Sequence, residues 1–348
     1  MRPFINLTLC LCIQWLIAQE SKNYKIHTLA FYNVENLFDP ANDPYTFDDD
    51  RTPEGADRWT EERYNQKIKQ LAEVIGQIGL ETTGNAPILI GLAEVENRTV
   101  LQDLINSSPL AKYGYRIVHQ DSPDRRGIDV ALIYQSRFFR LKHAQWHPLV
   151  LYRKDEPDRR IYTRDQLVVG GYLEEEEFAI IVNHWPSRSG GEALTQPRRM
   201  AAARLNRRLI DSLQHLNPYL KITTMGDFND DPSDKSIRKE LRAKGKRDQV
   251  SDLGLYNPMA ALHQQGLGTL AFRDSWNLFD QIMVSETLIQ ANYDSFRLFK
   301  AGIYNPNRLT YRSGRYQGYP WRTYAGGVYS GGISDHFPVY AYLIKLQD

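Results

Sequence analysis

Ten polar residues of this 348-residue chain each follow or interrupt an apolar run. They are Asn33, Glu35, Glu94, Asn183, His184, Asp227, Asn229, Asp280, Asp335 and His336. Five carboxylates and three amides make an oxygen-rich donor set. With no thiolate among them, such a set favours a hard ion, Mg²⁺ or Mn²⁺, over a structural zinc. The two imidazoles are then left for proton transfer or charge stabilisation. Side chains at strand ends converge at one edge of a sheet, where loops frame a cleft.

The elements needed to gather these residues are legible as patterns. Residues 25–34 are rich in β formers and predict a strand ending at Asn33–Glu35. Residues 41–59 are polar, with Pro53 and Gly55, and predict a long loop. Thr60 can cap a helix whose first turn carries Glu61 and Glu62; Tyr64, Ile68, Leu71, Ile75 and Ile78 then recur at helical spacing. The near-continuous apolar run 87–95 suits a strand covered on both faces. Further strands are predicted over 128–134, 166–173, 178–183, 221–225, 279–284 and 337–343. The acidic run 174–177 reads as a solvated hairpin turn. A helix is predicted over 198–216, with Met200, Leu205, Leu209 and Leu213 as its apolar stripe. Helices and strands mix throughout, without repeats, so an α/β domain of helices over packed sheets is expected across residues 19–348.

Composition sets the outer limits. The balance of 43 Lys+Arg against 42 Asp+Glu argues against a nucleic-acid binder held by charge alone. Residues 1–18 carry Arg2, an apolar stretch and a small Ala18, which reads as a secretory signal cleaved near Ala18. A buried N-terminal strand is the alternative. The stretch is too short and too broken by Asn6, Thr8 and Gln14 to span a membrane well. Cleavage would take both cysteines, Cys10 and Cys12, and leave a chain without disulfides, secreted or held in the periplasm or at the cell surface. A monomer without an obligate protein partner is expected.

Taken together, Phe31-Tyr32-Asn33-Val34-Glu35-Asn36-Leu37, Leu92-Ala93-Glu94-Val95, Val182-Asn183-His184, Gly226-Asp227-Phe228-Asn229, Phe279-Asp280-Gln281-Ile282 and Ser334-Asp335-His336-Phe337-Pro338 resemble the successive motifs of the endonuclease/exonuclease/phosphatase superfamily. The resemblance spans residues 31–338. It implies a DNase I-like four-layer α/β sandwich, two packed and mostly antiparallel sheets flanked by helices. It also implies a metal-dependent phosphoric ester hydrolase. Carried onto this chain, it makes Glu94 the main metal carboxylate, with Asn33, Glu35 and Asp335 nearby. Asp227 and Asn229 would orient the nucleophilic water and the scissile phosphate, and His336 would pair with Asp280. His184 matches a position that is His in the DNase-like members, and Asp129 falls where those members carry an acid that orients it.

Phosphodiester hydrolysis needs an activated water, a stabilised anionic transition state and a neutralised leaving alkoxide. A divalent ion on Glu94 would serve the second, and Asp227 or the His336–Asp280 couple could take the water's proton. Asn183, Arg188 and Arg164 are the candidate contacts to substrate phosphates, with an ordinary surface salt bridge as the alternative for Arg164. Residues 302–332 hold six Tyr, one Trp, seven Gly and four Arg. This segment is either a rim loop that stacks bases or sugars, or a self-packed surface loop. A secreted endonuclease is the leading expectation, with a phospholipid, inositol phosphate or other small phosphate ester as the alternative substrate and an inactive binding protein third.

Overall fold

The computed structural model describes residues 23–347; the proposed signal segment, with Cys10 and Cys12, lies outside them. Two large sheets carry the fold. One holds β1 (Tyr24–Leu37), β2 (Leu89–Val95), β3 (Tyr115–His119), β4 (Asp129–Gln135), β12 (Arg297–Ile303) and β13 (Val339–Leu346). Its order is β12-β13-β1-β2-β4-β3, with only β1 and β2 parallel. The other holds β5 (Phe139–His147), β6 (Gln166–Leu173), β7 (Glu176–His184), β8 (Lys221–Asp227), β9 (Ala243–Lys244), β10 (Leu255–Tyr256) and β11 (Asp280–Ser285). Its order is β9-β10-β11-β8-β7-β6-β5, with β7–β8 and β9–β10 parallel.

The period-2 alternation of the strands builds the layers. Leu29 and Phe31 of β1 point to a core shared by both sheets, with Leu132, Leu167, Ile180, Met225 and Ile282. Ala30 and Tyr32 point the other way, beneath helix α1 (Glu61–Gln77). The run 89–95 behaves as expected of a strand covered on both faces: Leu89 and Ala93 enter the shared core, and Ile90, Leu92 and Val95 lie under helices. Each such fully buried aliphatic side chain contributes roughly 1.5–3 kcal/mol. Gly91 leaves room for Met225 of the other sheet, since a Cβ there would meet Met225 Sδ at 2.8 Å. Helix α1 starts at the expected cap, with Thr60 Oγ1 accepting from the Arg63 N–H.

Helix α2 (Glu192–Leu216) covers the outer face of the second sheet and departs from expectation twice. It begins six residues earlier, at Glu192, and carries Pro197 inside it at the cost of one i→i−4 hydrogen bond. Its buried face is also not the Met200–Leu213 stripe. Ala202, Ala203, Asn206 and Ile210 face the sheet, and the stripe residues are half-buried at the flanks. The turn at 174–177 is not simply solvated. Glu174 bonds Lys25 Nζ at 2.7 Å and His27 Nε2 at 2.8 Å, and Glu176 bonds Lys221 at 2.6 Å and Lys345 at 3.0 Å. These pairs clamp the two sheets together at the end where β1 and β8 begin. Among the described residues no helix is long and apolar enough to cross a membrane.

Candidate active site

Topology explains the convergence. Strands β1, β2, β7 and β8 end at one edge of the two sheets, and the antiparallel neighbours β11 and β13 begin there. Asp227, the last residue of β8, is therefore in register with His184 on one side and Asp280 on the other. Gly226 lets this edge close: a Cβ there would lie 2.4 Å from the Asn183 carbonyl oxygen.

Glu94 is turned inward by backbone distortion. The ladder slips between Ala93 and Val95 on both sides of β2, and Glu94 takes φ +63°. A bulge of this kind re-aims a side chain. Glu35, Asn36 and Asn229 also take φ near +50°, so four non-glycine residues in the left-handed region surround one site. Strain of roughly 1–3 kcal/mol per such residue is typical of functional clefts.

The polar contacts knit the edge together. Asn33 Nδ2 donates to Asp227 Oδ2 at 3.0 Å and to Glu94 Oε1 at 3.4 Å; the Asn36 N–H donates to Glu94 Oε2 at 2.9 Å. His184 Nε2 lies 3.8 Å from Glu94 and 3.6 Å from Asp227. His336 Nε2 lies 3.9 Å from both Asp227 and Asp335, and its Nδ1 is 2.6 Å from Asp280 Oδ2. Thus Asn33, Glu94, His184, Asp227, Asp280, Asp335 and His336, drawn from both sheets, form one cluster.

Electrostatics sort these groups. Burial, with Asp280 and Glu94, pushes the Asp227 carboxyl up to about 7 against the opposing charge of His336. Burial alone would lower His336, but Asp280, Asp227 and Asp335 outweigh it and hold its imidazole well above the ordinary value. Burial, then the charges of Arg164, Arg126 and His336, holds His184 well below it. At neutral pH the site thus has one cationic and one neutral histidine.

Glu94 and Asp335 are the carboxylates open to the cleft, with side chains 14% and 27% exposed. Mg²⁺ typically takes one or two carboxylates and keeps several waters, which this pair fits. Asp227, Asp280 and His336 also present ligand atoms within 4.8 Å of one another. Their 2.6 Å Asp280–His336 bond and the raised imidazole make that trio a proton-carrying couple rather than an ion cage.

Several sequence expectations need correction. Asn33 turns its amide nitrogen to Glu94 and Asp227 while its Oδ1 accepts from the Glu35 N–H, so it orders the carboxylates instead of offering an oxygen. The Glu35 carboxylate accepts from Thr323 N–H and Oγ1 at 2.7 and 2.9 Å; burial and Asp335 push it up to about 7. Asp129 does not orient His184. It accepts from Ser122 N–H at 2.7 Å and lies 3.2 Å from His119 Nε2, while the buried His184 Nδ1 has no hydrogen-bond partner among the described residues. Asn183 is fully buried, held by Thr224, Met225, Trp185 and Asn206. Arg164 is buried between Asp124 at 2.9 Å and the Trp185 carbonyl at 2.7 Å. Arg188 is gripped by the Asn229 carbonyl, Asp230 and Asp234. These three are framework, because charge or hydrogen-bond capacity already spent on the protein is not available to a phosphate. Asn229 is part of the frame as well as the site: its N–H donates to Asp227 Oδ1 at 2.9 Å and its Nδ2 to the Trp185 carbonyl.

Sequence reasoning missed three supports. Lys67 is buried, donates to the Glu35 carbonyl and to Thr323 Oγ1, and feels the charges of Glu35, Asp335 and Glu94. A lysine one residue from Ile68 on the apolar face of α1 was the available signal. Thr269 receives the Asp280 and Phe337 N–H groups, and Ser334 Oγ donates to the Asn33 carbonyl at 2.7 Å.

The aromatic-rich segment forms a ledge beside His336. Trp276, on the hairpin 270–277, stacks on Phe337 at 6.0 Å and meets Tyr319 edge-on, and Tyr316 and Tyr311 continue the row. Trp276, Tyr316 and the adjacent Phe272 are exposed.

A family model described as Endonuclease/Exonuclease/phosphatase family matches residues 28–345. Comparison with curated protein sequences yields no match. Among solved structures the chain is similar to a mannosyl-6-phosphatase of Bacteroides thetaiotaomicron: 21% identity, TM-score 0.52, covering 91% of this chain and 99% of that one. An endonuclease/exonuclease/phosphatase family protein of the same organism gives 20%, 0.53, 93% and 97%. D. rerio TDP2, complexed with single strand DNA product, gives 11%, 0.54, 91% and 98%. At these identities the likeness is one of fold.

Proposed function

The chain belongs to the endonuclease/exonuclease/phosphatase family, and from that premise we propose that it is a Mg²⁺- or Mn²⁺-dependent nuclease that hydrolyses nucleic-acid phosphodiester bonds. The observation that carries the hydrolytic part is the His336–Asp280 couple facing Asp227 at 3.9 Å beside Glu94. In this reading Glu94 and Asp335 hold the ion. Bound there, it would neutralise charge on the phosphate as the transition state forms.

The residues divide the proton work. Asp227, with its carboxyl near neutrality and its orientation fixed by the Asn229 N–H, takes the proton of the attacking water. The water oxygen bonds to phosphorus and the P–O bond to the leaving alkoxide breaks. His336, kept protonated by Asp280, gives its Nε2 proton to that alkoxide. Asp280 acts as the orienting acid does in other hydrolytic couples. Neutral His184 offers its Nε2–H to a phosphate oxygen. Glu35 and Lys67 support the metal side, and Asn33 spaces Glu94 from Asp227.

The exposed ledge of Phe272, Trp276 and Tyr316 favours a substrate with flat rings, since bases stack on aromatics without sequence demands. A second reading, a phosphate ester on a sugar, is favoured by the similarity to the mannosyl-6-phosphatase. Export of the chain after cleavage near Ala18 is part of the proposal and rests on the pattern of residues 1–18. The test is parallel incubation with single- and double-stranded DNA, RNA, mannose 6-phosphate, sphingomyelin and inositol phosphates, in Mg²⁺ and in EDTA. Mg²⁺-dependent cleavage of DNA or RNA at the highest kcat/KM supports the nuclease reading. A preference for mannose 6-phosphate replaces it with the second.

A further inference from the structure

The balanced overall charge conceals a local exception. Residues 235–247 contain seven Lys+Arg and a single carboxylate, Glu240, which is paired to Arg204 at 3.2 Å. Five of the cations, Lys235, Arg238, Lys239, Lys244 and Lys246, line one groove of about 460 Å³. All five are exposed, and none has an ion-pair partner among the described residues. The groove wall carries no Phe, Tyr, Trp or large aliphatic side chain; its apolar residues are Pro232, Ala243 and Ala260, beside the His263 imidazole. Such a surface is built for a charged, hydrated ligand and not for the acyl region of a membrane.

The groove is joined to the catalytic edge. Pro232 on its wall is three residues beyond Asn229, at most about 11 Å away along the chain. Asn257 on the same wall donates to Gln281 Oε1 at 2.7 Å, next to Asp280. Strand order places this groove at the β9–β10 end of the second sheet. Near the ends of β2 and β4 lies a hollow of about 750 Å³ whose lining includes Asp39, Asp43, Asp121 and Arg125; there Asp124 is paired with Arg164 and burial raises the Glu96 carboxyl to about 8. A polyanion seated at Asp227 and Glu94 is therefore drawn toward the 235–247 flank.

We propose that the 235–247 groove is a backbone-tracking subsite that binds the phosphates of a nucleic-acid strand extending from the scissile bond. The inference rests on the nuclease reading and adds to it a direction and a length dependence. Its test is fluorescence anisotropy of a labelled 20-nucleotide single strand on the full chain in EDTA, across 50–200 mM salt. Replacing four cations together (K235Q, K239Q, K244Q and K246Q) should weaken binding at least tenfold at 50 mM salt. The slope of log K against log salt should become shallower by about 3, at about 0.7 per phosphate contact on a single strand. The K235R, K239R, K244R and K246R set should retain wild-type affinity and slope, which excludes a folding defect as the cause. A quadruple Gln variant with wild-type affinity and slope overturns the inference. So does a defect confined to phosphatidylserine vesicles, which would make the groove a membrane contact. With the same strand incubated separately in Mg²⁺, wild-type cleavage with no effect of the Gln set sinks the groove alone; absence of both binding in EDTA and cleavage in Mg²⁺ by the wild type sinks the nuclease reading with it.

Discussion

At the residue scale, function depends on pairs that set each other's protonation. The 2.6 Å bond from Asp280 to His336 keeps the imidazole cationic despite its burial. Asp280→Asn should lower kcat on the order of 10⁴-fold, by analogy with the loss of an orienting aspartate elsewhere. NMR titration should find the His336 imidazole shifted down toward its ordinary value; an unshifted ring would remove Asp280 from the mechanism. Lys67 is a different case, since it touches no reacting group but sits among Glu35, Asp335 and Glu94. Lys67→Met leaves those carboxylates uncompensated and should cost about 3 kcal/mol in urea unfolding. A loss below about 1 kcal/mol would mean the ammonium is dispensable.

At the element scale, the site is held by what lies behind the strands. Asn206 of α2 donates to Asn183 Oδ1 at 2.7 Å and Gln166 Oε1 at 3.1 Å, and accepts from Thr224 Oγ1 at 3.2 Å. Asn206→Ala strands these buried groups and should destabilise by about 2–4 kcal/mol, read from the urea midpoint. The opposite end of the sheets is set by the Glu174 clamp. Burial lowers His27 below its ordinary value despite the bond to Glu174. The folded state therefore binds fewer protons than the unfolded one, so stability from His27 is complete above about pH 6.5 and falls as the pH drops through lower values. Glu174, lowered mainly by Lys25 and His27 against the cost of burial, adds a loss in the same direction below about pH 4.5. The urea midpoint should fall between pH 6.5 and 5.5 in the wild type and less steeply in His27→Gln; equal slopes would mean that burial does not depress His27 in the folded state.

Strand ends and motif residues were legible because β-sheet alternation and apolar runs are local properties. The apolar run 89–95, the Thr60 cap and the termini of β7 and β8 follow from a few neighbouring residues. What escaped is partner choice. Nothing local distinguishes an arginine that meets a phosphate from Arg164, which spends its charge on Asp124 at 2.9 Å. The same holds for Asp129, whose carboxylate is taken by Ser122 and His119 across a loop. The buried face of α2 was misread because its Asn206 satisfies Gln166, Asn183 and Thr224 of the sheet, which a hydrophobic pattern does not register.

At the scale of the whole molecule, two sheets that share one core bring their edges to a single cleft, with an aromatic ledge on its rim. Trp276→Ala should raise KM for an oligonucleotide several-fold with little change in kcat, since stacking is worth about 1–3 kcal/mol per base. A changed kcat with constant KM would place Trp276 in catalysis instead. The central claim is that the gathered acids and imidazoles split a P–O bond in concert with a divalent ion. It is tested most directly by single-turnover cleavage of an oligonucleotide in Mg²⁺ by Asp227→Ala beside the wild type. The account predicts a fall of at least 10³-fold with an intact thermal melt; a variant rate within tenfold of the wild type would contradict it.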